Sequence, residues 1–265
     1  IKKEIFYRIY LMFFSKKFKT FKNIKHCFFS KNGGVSQGIY NSLNCGLGSE
    51  DKKKNVLNNL NIVSNKMGVN IENLFTMNQT HSNKVVVIDD TNKHIQRVNS
   101  DALVTSQKNI TISVLTADCV PVLIYDEVNK IIGSVHAGWK GAAGGIIENT
   151  LNEFFKINKN GKINVAIGPC IGVGNYEVGR EFYSKFIQLS KKNNNFFIET
   201  ENNKFFFNLR KYINSKFEDL RVNHVENIDF DTFSENKKFF SFRRSRQVGD
   251  KDYGRCISVI SLIND

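Results

Sequence analysis

Three short segments concentrate the side chains able to do chemistry: Asn78-Gln79-Thr80-His81-Ser82, Thr116-Ala117-Asp118-Cys119-Val120-Pro121, and Gly133-Ser134-Val135-His136-Ala137-Gly138-Trp139-Lys140-Gly141. Each adjoins an apolar, strand-like run, so each can present a soft or borderline metal ligand at a strand end. His81, Cys119 and His136 make a His₂Cys set. Three protein ligands with an open fourth position are the pattern of a catalytic zinc site. A metal there acidifies a coordinated water and polarises a substrate oxygen or nitrogen. The spacing is not local, and a single His at a strand end or a single buried Cys is more often structural. A metal-free chemistry therefore stays open: Cys119 as nucleophile with His136 as base. Asp118 is the candidate acid/base. Neighbours on a strand point to opposite faces, so Asp118 reaches the site only if the backbone turns at Pro121.

These residues must be held by a frame of strands. Val-, Ile- and Phe-rich runs recur at His26–Ser30, Lys84–Ile88, Ala102–Thr105, Ile110–Leu115, Pro121–Tyr125, Ile131–His136, Ile163–Ile167, Phe239–Phe242 and Cys256–Leu262. Several are continuously apolar, as in sheets covered on both faces. Helical periodicity predicts a helix capped at Ser49 and ending at Gly68, with others over Gly144–Phe155, Glu177–Leu189 and Leu209–Leu220. Strands cluster in the middle without regular alternation with helices, which predicts an α+β fold rather than a doubly wound sheet.

Other pieces offer weaker signals. The glycines of Gly138–Gly145 precede a helix, whose N-terminal N–H groups suit an anion, but neither GxxxxGK[ST] nor GxGxxG is present. Lys31–Ser36 reads as a turn with positive-φ glycines. Phe239–Arg244 ends a predicted strand with two adjacent arginines, one able to bind phosphate. His26, His94 and His224 read as structural.

The 265 residues carry a formal charge of +13 and are 41% hydrophobic, enough for a sizeable core in one domain. The lysines are scattered rather than gathered in a basic block, so nucleic-acid binding is not expected. No run of about 18 apolar residues is available to cross a membrane as a helix. Five dispersed cysteines without CxxC are a poor disulfide framework and point to a reducing, cytoplasmic setting. Arg8 interrupts the N-terminal apolar run and no small-x-small site follows, so a secretory signal is not expected. Residues 1–24 read as a poorly ordered N-terminal extension ahead of a single catalytic domain over residues 25–265.

Taken together the segments closely resemble one family, the YfiH-like or laccase-domain (FAMIN-like) family. The resemblance rests on Gly33-Gly34-Val35-Ser36, Ser42-Leu43-Asn44, Gln79-Thr80-His81, Asp101–Thr105 and Thr116–Pro121. It continues through His136–Gly141, Ile167–Gly172, Tyr176–Gly179, Phe239–Arg244 and Gly254-Arg255. It implies an α-β-β-α sandwich and a zinc-dependent purine nucleoside phosphorylase acting on adenosine, inosine/guanosine and methylthioadenosine, with adenosine deaminase activity. It implies His81, Cys119 and His136 as metal ligands, with a purine nucleoside and phosphate as partners; no membrane partner is expected, given the lack of a long apolar run. Within that frame Lys31 or Arg243 is expected to hold phosphate, Asn44 and Gln79 to bond ribose or base, and Asp118 to shuttle a proton. The older family label, multicopper polyphenol oxidase, fits poorly with five histidines in the whole chain. The alternatives are a single-copper oxidoreductase at the same ligands and a cysteine hydrolase of peptidoglycan-like amides using Cys119 and His136. Three departures from the family pattern touch selectivity: Lys31 in place of Arg, Asp231-Thr232 in place of Cys-Thr, and a longer Ser245–Tyr253 link.

Overall fold

The computed structural model describes residues 12–263 apart from Gln96, Asn158 and Arg221. The chain runs β1 (Met12–Phe13), β2 (Ile24–Phe29), α1 (Lys53–Met67), β3 (Leu74–Asn78), β4 (Val85–Ile88), β5 (Arg97–Asn99), β6 (Ala102–Thr105), β7 (Thr111–Thr116), β8 (Val120–Asp126) and β9 (Ile131–Ala137). It continues through α2 (Trp139–Ala143), α3 (Ile146–Ile157), β10 (Ile163–Ile167), β11 (Glu177–Gly179), α4 (Arg180–Leu189), β12 (Phe197–Glu199), β13 (Lys204–Phe207), α5 (Leu209–Asp219), β14 (His224–Asn227), α6 (Phe242–Gln247) and β15 (Cys256–Leu262).

Two six-stranded sheets, β1-β2-β15-β7-β3-β5 and β14-β10-β8-β9-β6-β4, stack face to face. Strand alternation builds the three apolar layers. In β2, Phe28 points between the sheets while Cys27 and Phe29 point outward. In β8, Leu123 and Tyr125 point inward while Val120, Val122 and Ile124 face the opposite layer. Both faces of β8 are buried along its whole length, which explains its nearly continuous apolar run.

Helix α1 covers the outer face of the first sheet with Val56, Leu60, Val63 and Met67. Each such side chain stabilises the fold by about 1.5–3 kcal/mol through burial. Its end is set by Gly68, whose left-handed φ of 76° lets its N–H close back on the last turn. Helices α3 and α5 cover the second sheet through Ile147, Leu151, Phe154, Ile213 and Phe217, beside a small sheet of order β11-β13-β12. The result is the α-β-β-α sandwich and α+β class that the sequence led us to expect.

Several local expectations are corrected. Phe239–Phe242 is not a strand: Phe239 and Phe240 are buried in a loop, and Ser241 caps α6 by accepting from the Arg244 N–H at 3.2 Å. Ser49 does not cap α1, because its hydroxyl is spent on Gly46 and Asn44. The periodic stretch from Glu177 opens as β11, since its first three residues pair with Lys204–Phe206. Of the segment assigned to an N-terminal extension, residues 1–11 lie outside the described part. Residues 12–24 pack against the first sheet, with β1 paired to β2 and Phe18 fully buried.

Candidate active site

Two loops and a strand end converge at one end of the sandwich. His81 follows β3, Cys119 precedes β8, and His136 lies near the end of β9, opposite Pro121 in the register. Their ligand atoms all lie within 4.8 Å of one another, with Cys119 Sγ 3.7 Å from His81 Nε2. Among the described residues this is the only such group of three or more. Tetrahedral zinc would separate a thiolate sulfur and an imidazole nitrogen by about 3.5 Å, so the donor set and its spacing fit a zinc-like ion. Gly138 keeps the space clear. A Cβ there would stand 2.7 Å from His81 Cδ2 and 3.1 Å from Cys119 Sγ.

Strained backbone aims the ligands. His81 has φ 61° and Asp118 φ 89°, both left-handed for non-glycine residues, a conformation costing about 1–3 kcal/mol each and kept only where the surroundings enforce it. Asp101 enforces the first. Its buried carboxylate accepts from the backbone N–H of Thr80, His81 and Ser82, from Ser82 Oγ, and from His136 Nδ1 at 2.8 Å. One acid thus holds both histidine ligands and leaves His136 Nε2 for the site, as carboxylates behind metal-bound histidines do.

The electrostatics follow from this crowding. Burial would raise the Asp101 carboxyl, yet the hydrogen bonds from His136 and Ser82 hold it well below the usual carboxylate range. Burial would likewise raise the Cys119 thiol, but His136 and His81 bring it down to about 6. His136 moves the other way, up to about 9, because Cys119 and Asp101 outweigh its desolvation. The thiolate form that a metal or an electrophile needs is favoured near neutral pH.

Two cavities of about 360 Å³ each meet at the cluster, sharing His81, Cys119, Ala117 and Phe242 as a common wall. One arm is lined by Gly46, Asn78, Gln79, Arg97, Tyr253 and Arg255. The other is aromatic, with Trp139, Tyr176 and Phe182 beside Arg243. Phe242, 42% exposed, stands between them and meets Tyr253 edge-on at 5.1 Å.

The family of multi-copper polyphenol oxidoreductase laccases matches this chain over residues 25–263. The chain belongs to this laccase-domain family. Its relatives include purine nucleoside phosphorylases of Rickettsia conorii (35% identical, covering 80% of this chain and 89% of the relative) and of Rickettsia prowazekii (31%, covering 92% and 91%). The Escherichia coli purine nucleoside phosphorylase YfiH is 29% identical, covering 91% of this chain and 95% of the relative. In structure the chain resembles Bacillus licheniformis YfiH (TM-score 0.86, 27% identity, 95% and 96% covered) and a Neisseria meningitidis protein (TM-score 0.83, 29% identity, 96% and 99% covered).

The laccase-domain chain brings only some of the expected substrate residues to these cavities. Gln79 lines the arginine-bearing arm, but its amide is locked by donating to Leu115 O and accepting from Leu115 N. Arg243 lines the aromatic arm, lying 5.5 Å over the Tyr176 ring and donating to Glu177 O. Lys31 and Asn44 line neither cavity. Lys31 is half-buried beside Phe240, where burial and the Arg244 charge lower its pKa. Asn44 spends its whole amide on Ser49, Asp51, Gly46 and the Arg255 N–H.

The backbone turns at Asp118 itself, while Pro121 lies inside β8. That turn sends Asp118 away from Cys119 and toward α6. Its carboxylate accepts from Thr232 Oγ1, Ser241 Oγ and the Arg243 N–H at 2.7–2.9 Å, and it fixes the helix turn that carries Phe242 and Arg243.

Asp101, Arg97, Arg255 and the aromatic wall were not picked out from side-chain chemistry. The Asp101–Thr105 and Gly254-Arg255 pieces stood in the family resemblance without a role. His26 is structural as expected, its ring accepting from the Ser15 N–H at 2.8 Å. Asp231, at one of the family departures, ties its loop by accepting from Gly172, Phe233, Ser234 and Asn175. Among the described residues no helix is long and apolar enough to cross a membrane.

Proposed function

We propose that this chain is a zinc-dependent purine nucleoside phosphorylase acting on adenosine, inosine/guanosine and methylthioadenosine. The observation that carries the reading is the junction of two cavities at one His₂Cys cluster. The names of its relatives support it. A multicopper oxidase reading lacks ligands, since His26, His94 and His224 lie outside the only cluster found among the described residues.

Trp139, Tyr176 and Phe182 form a wall suited to the flat, apolar faces of a purine, with Arg243 at its edge. The ribose then lies at the shared wall. His81, Cys119 and His136 would hold the metal, which when bound supplies Lewis-acid stabilisation of developing negative charge. Asp101 keeps His136 in one tautomer, and Asp118 positions α6 rather than moving a proton. Deamination at C6, with water in place of phosphate, needs adenosine turned so that C6 rather than the ribose meets the cluster.

The test is metal content by mass spectrometry on protein purified without an affinity tag, paired with chromatography of adenosine incubated with and without phosphate. About one zinc per chain and phosphate-dependent release of adenine support the reading. Inosine without phosphate assigns the deaminase.

One observation favours a second reading. Cys119, His136 and Asp101 line up as nucleophile, base and orienting carboxylate, the arrangement of a cysteine hydrolase. A chelator separates the two, because only the metal enzyme loses activity.

A further inference from the structure

Phosphorolysis places the attacking group and the leaving base on opposite sides of one sugar carbon. A site for it therefore needs two compartments meeting at a point, and this protein has them. Resting on the phosphorylase reading, we propose that the arginine-bearing arm seats inorganic phosphate, held by Arg255 and Arg97. The chemistry is balanced within the site. An oxygen of hydrogen phosphate bonds to ribose C1′, the C1′–N9 bond breaks with its electron pair going to N9, and the phosphate proton ends on the purine.

Three observations separate this arm from the other. No Asp or Glu lines it, whereas Asp118 and Glu177 line the aromatic arm beside a single arginine. Arg255 is pre-positioned: its guanidinium lies 4.1 Å over the Tyr253 ring, donates to Tyr253 O at 2.8 Å and meets Asp252 Oδ1 at 3.4 Å. The other oxygen of Asp252 accepts from Tyr40 OH and the Glu50 N–H, both at 2.8 Å, so the support is itself fixed. Of the five N–H donors of a guanidinium, these contacts use only two, leaving the rest of the fork for an oxyanion.

The surrounding backbone is shaped to the same end. Gly46 gives Arg255 room, since a Cβ there would stand 2.5 Å from its Cδ. Asn44 holds the Arg255 N–H at 3.0 Å, so the residue expected to touch ribose supports the arginine instead. Arg97 enters from the sheet edge on β5, steadied by Asn78 Oδ1 at 3.4 Å. Lys31, the other residue expected to bind phosphate, is packed beside Phe240 outside this arm.

The experiment uses the zinc-loaded full chain and its Arg255→Gln, Arg255→Lys and Arg97→Gln variants, each checked for fold by circular dichroism. Inorganic phosphate is titrated calorimetrically, and KM is measured separately for phosphate and for adenosine. Losing a charge-assisted contact raises the phosphate Kd and KM of Arg255→Gln by about 10- to 100-fold, with the adenosine KM unmoved. Arg97→Gln, at an exposed edge, shifts the same constants and keeps the fold. Arg255→Lys recovers only part of the affinity. The proposal falls if the arginine variants raise the adenosine KM and leave phosphate untouched. It also falls if adenosine 5′-monophosphate, and not free phosphate, binds in an Arg255-dependent way. If the wild-type enzyme binds phosphate through Arg255 yet never cleaves a nucleoside, the phosphorylase reading fails while the anion seat stands.

Discussion

Asp101 Oδ1 lies 2.8 Å from His136 Nδ1, and the same carboxylate takes the backbone N–H groups of Thr80, His81 and Ser82. Two ligands that are 55 residues apart in the numbering are thus oriented by one side chain. Asp101→Asn keeps the size but places an amide where five donors converge. Loss of such a supporting partner weakens metal binding by about 10- to 100-fold. Competition against a chromophoric zinc chelator measures it, and unchanged affinity would show that the histidines need no such support.

Gly138→Ala tests the space between the ligands. Glycine's conformation there (φ −73°, ψ 162°) is open to any residue, so the backbone is not strained. The new methyl group instead stands against His81 and Cys119. On the zinc reading, the variant is expected to fold with a melting temperature close to the parent's while binding less zinc, read by elemental analysis. A variant with full zinc content would mean the ligands move aside freely.

Cys119 should behave as a thiolate near neutral pH when the metal is stripped. With its pKa lowered to about 6 by His136 and His81, iodoacetamide modification of metal-free protein should reach its plateau by about pH 7, below the ordinary thiol's range near 8.5. Mass mapping locates the adduct. Added zinc should protect the residue, and a reaction rate still climbing past pH 8 would contradict the lowered pKa.

His26 supplies a pH dependence of stability. Burial lowers its pKa from 6.5 to about 4, against a raising effect of Glu226. The folded protein therefore prefers the neutral ring that accepts from Ser15 N–H. Its contribution is present above the unfolded value near 6.5 and fades as pH falls through about 4, by on the order of 3 kcal/mol in all. Urea unfolding at steps across that window should show the slope in the parent and a flatter profile in His26→Gln.

Asp118→Asn probes the clamp on α6. Replacing an acceptor of three hydrogen bonds leaves at least one donor unsatisfied and costs about 1–3 kcal/mol. On the phosphorylase reading, loosening Phe242 and Arg243 raises the adenosine KM, but the limbs of the kcat/KM pH profile stay in place. Disappearance of one limb would instead restore Asp118 as a proton carrier.

Much of this was legible in residue order. Runs such as Ala102–Thr105, Ile163–Ile167 and Cys256–Leu262 coincide with strands to the residue, because burial on both faces selects mostly apolar side chains, with only Thr105, Asn164, Ser258 and Ser261 polar among them. Gly68 marked the end of α1 through its left-handed φ. His81, Cys119 and His136 were visible because few residue types bind metals and each stood at the edge of such a run.

What residue order could not show was where the neighbours point. The aromatic pair before Arg243 looks like a strand until Ser241 is seen to cap a helix, a choice made by the buried carboxylate of Asp118. Strand β3 is short and partly polar, and it is held in place by pairing with β7 and β5 rather than by its own pattern. Asn44, Gln79 and Lys31 carry the chemistry of substrate contacts, yet backbone groups, neighbouring side chains and an aromatic ring already occupy them. Arg97 and Arg255 are ordinary surface types in sequence, and only the strand order β15-β7-β3-β5 within the first sheet brings them to one arm of a cavity. Local pattern reports a residue's type and its face. Which hydrogen-bond partners remain free for a ligand is decided by contacts between distant segments, and those exist only in the folded chain.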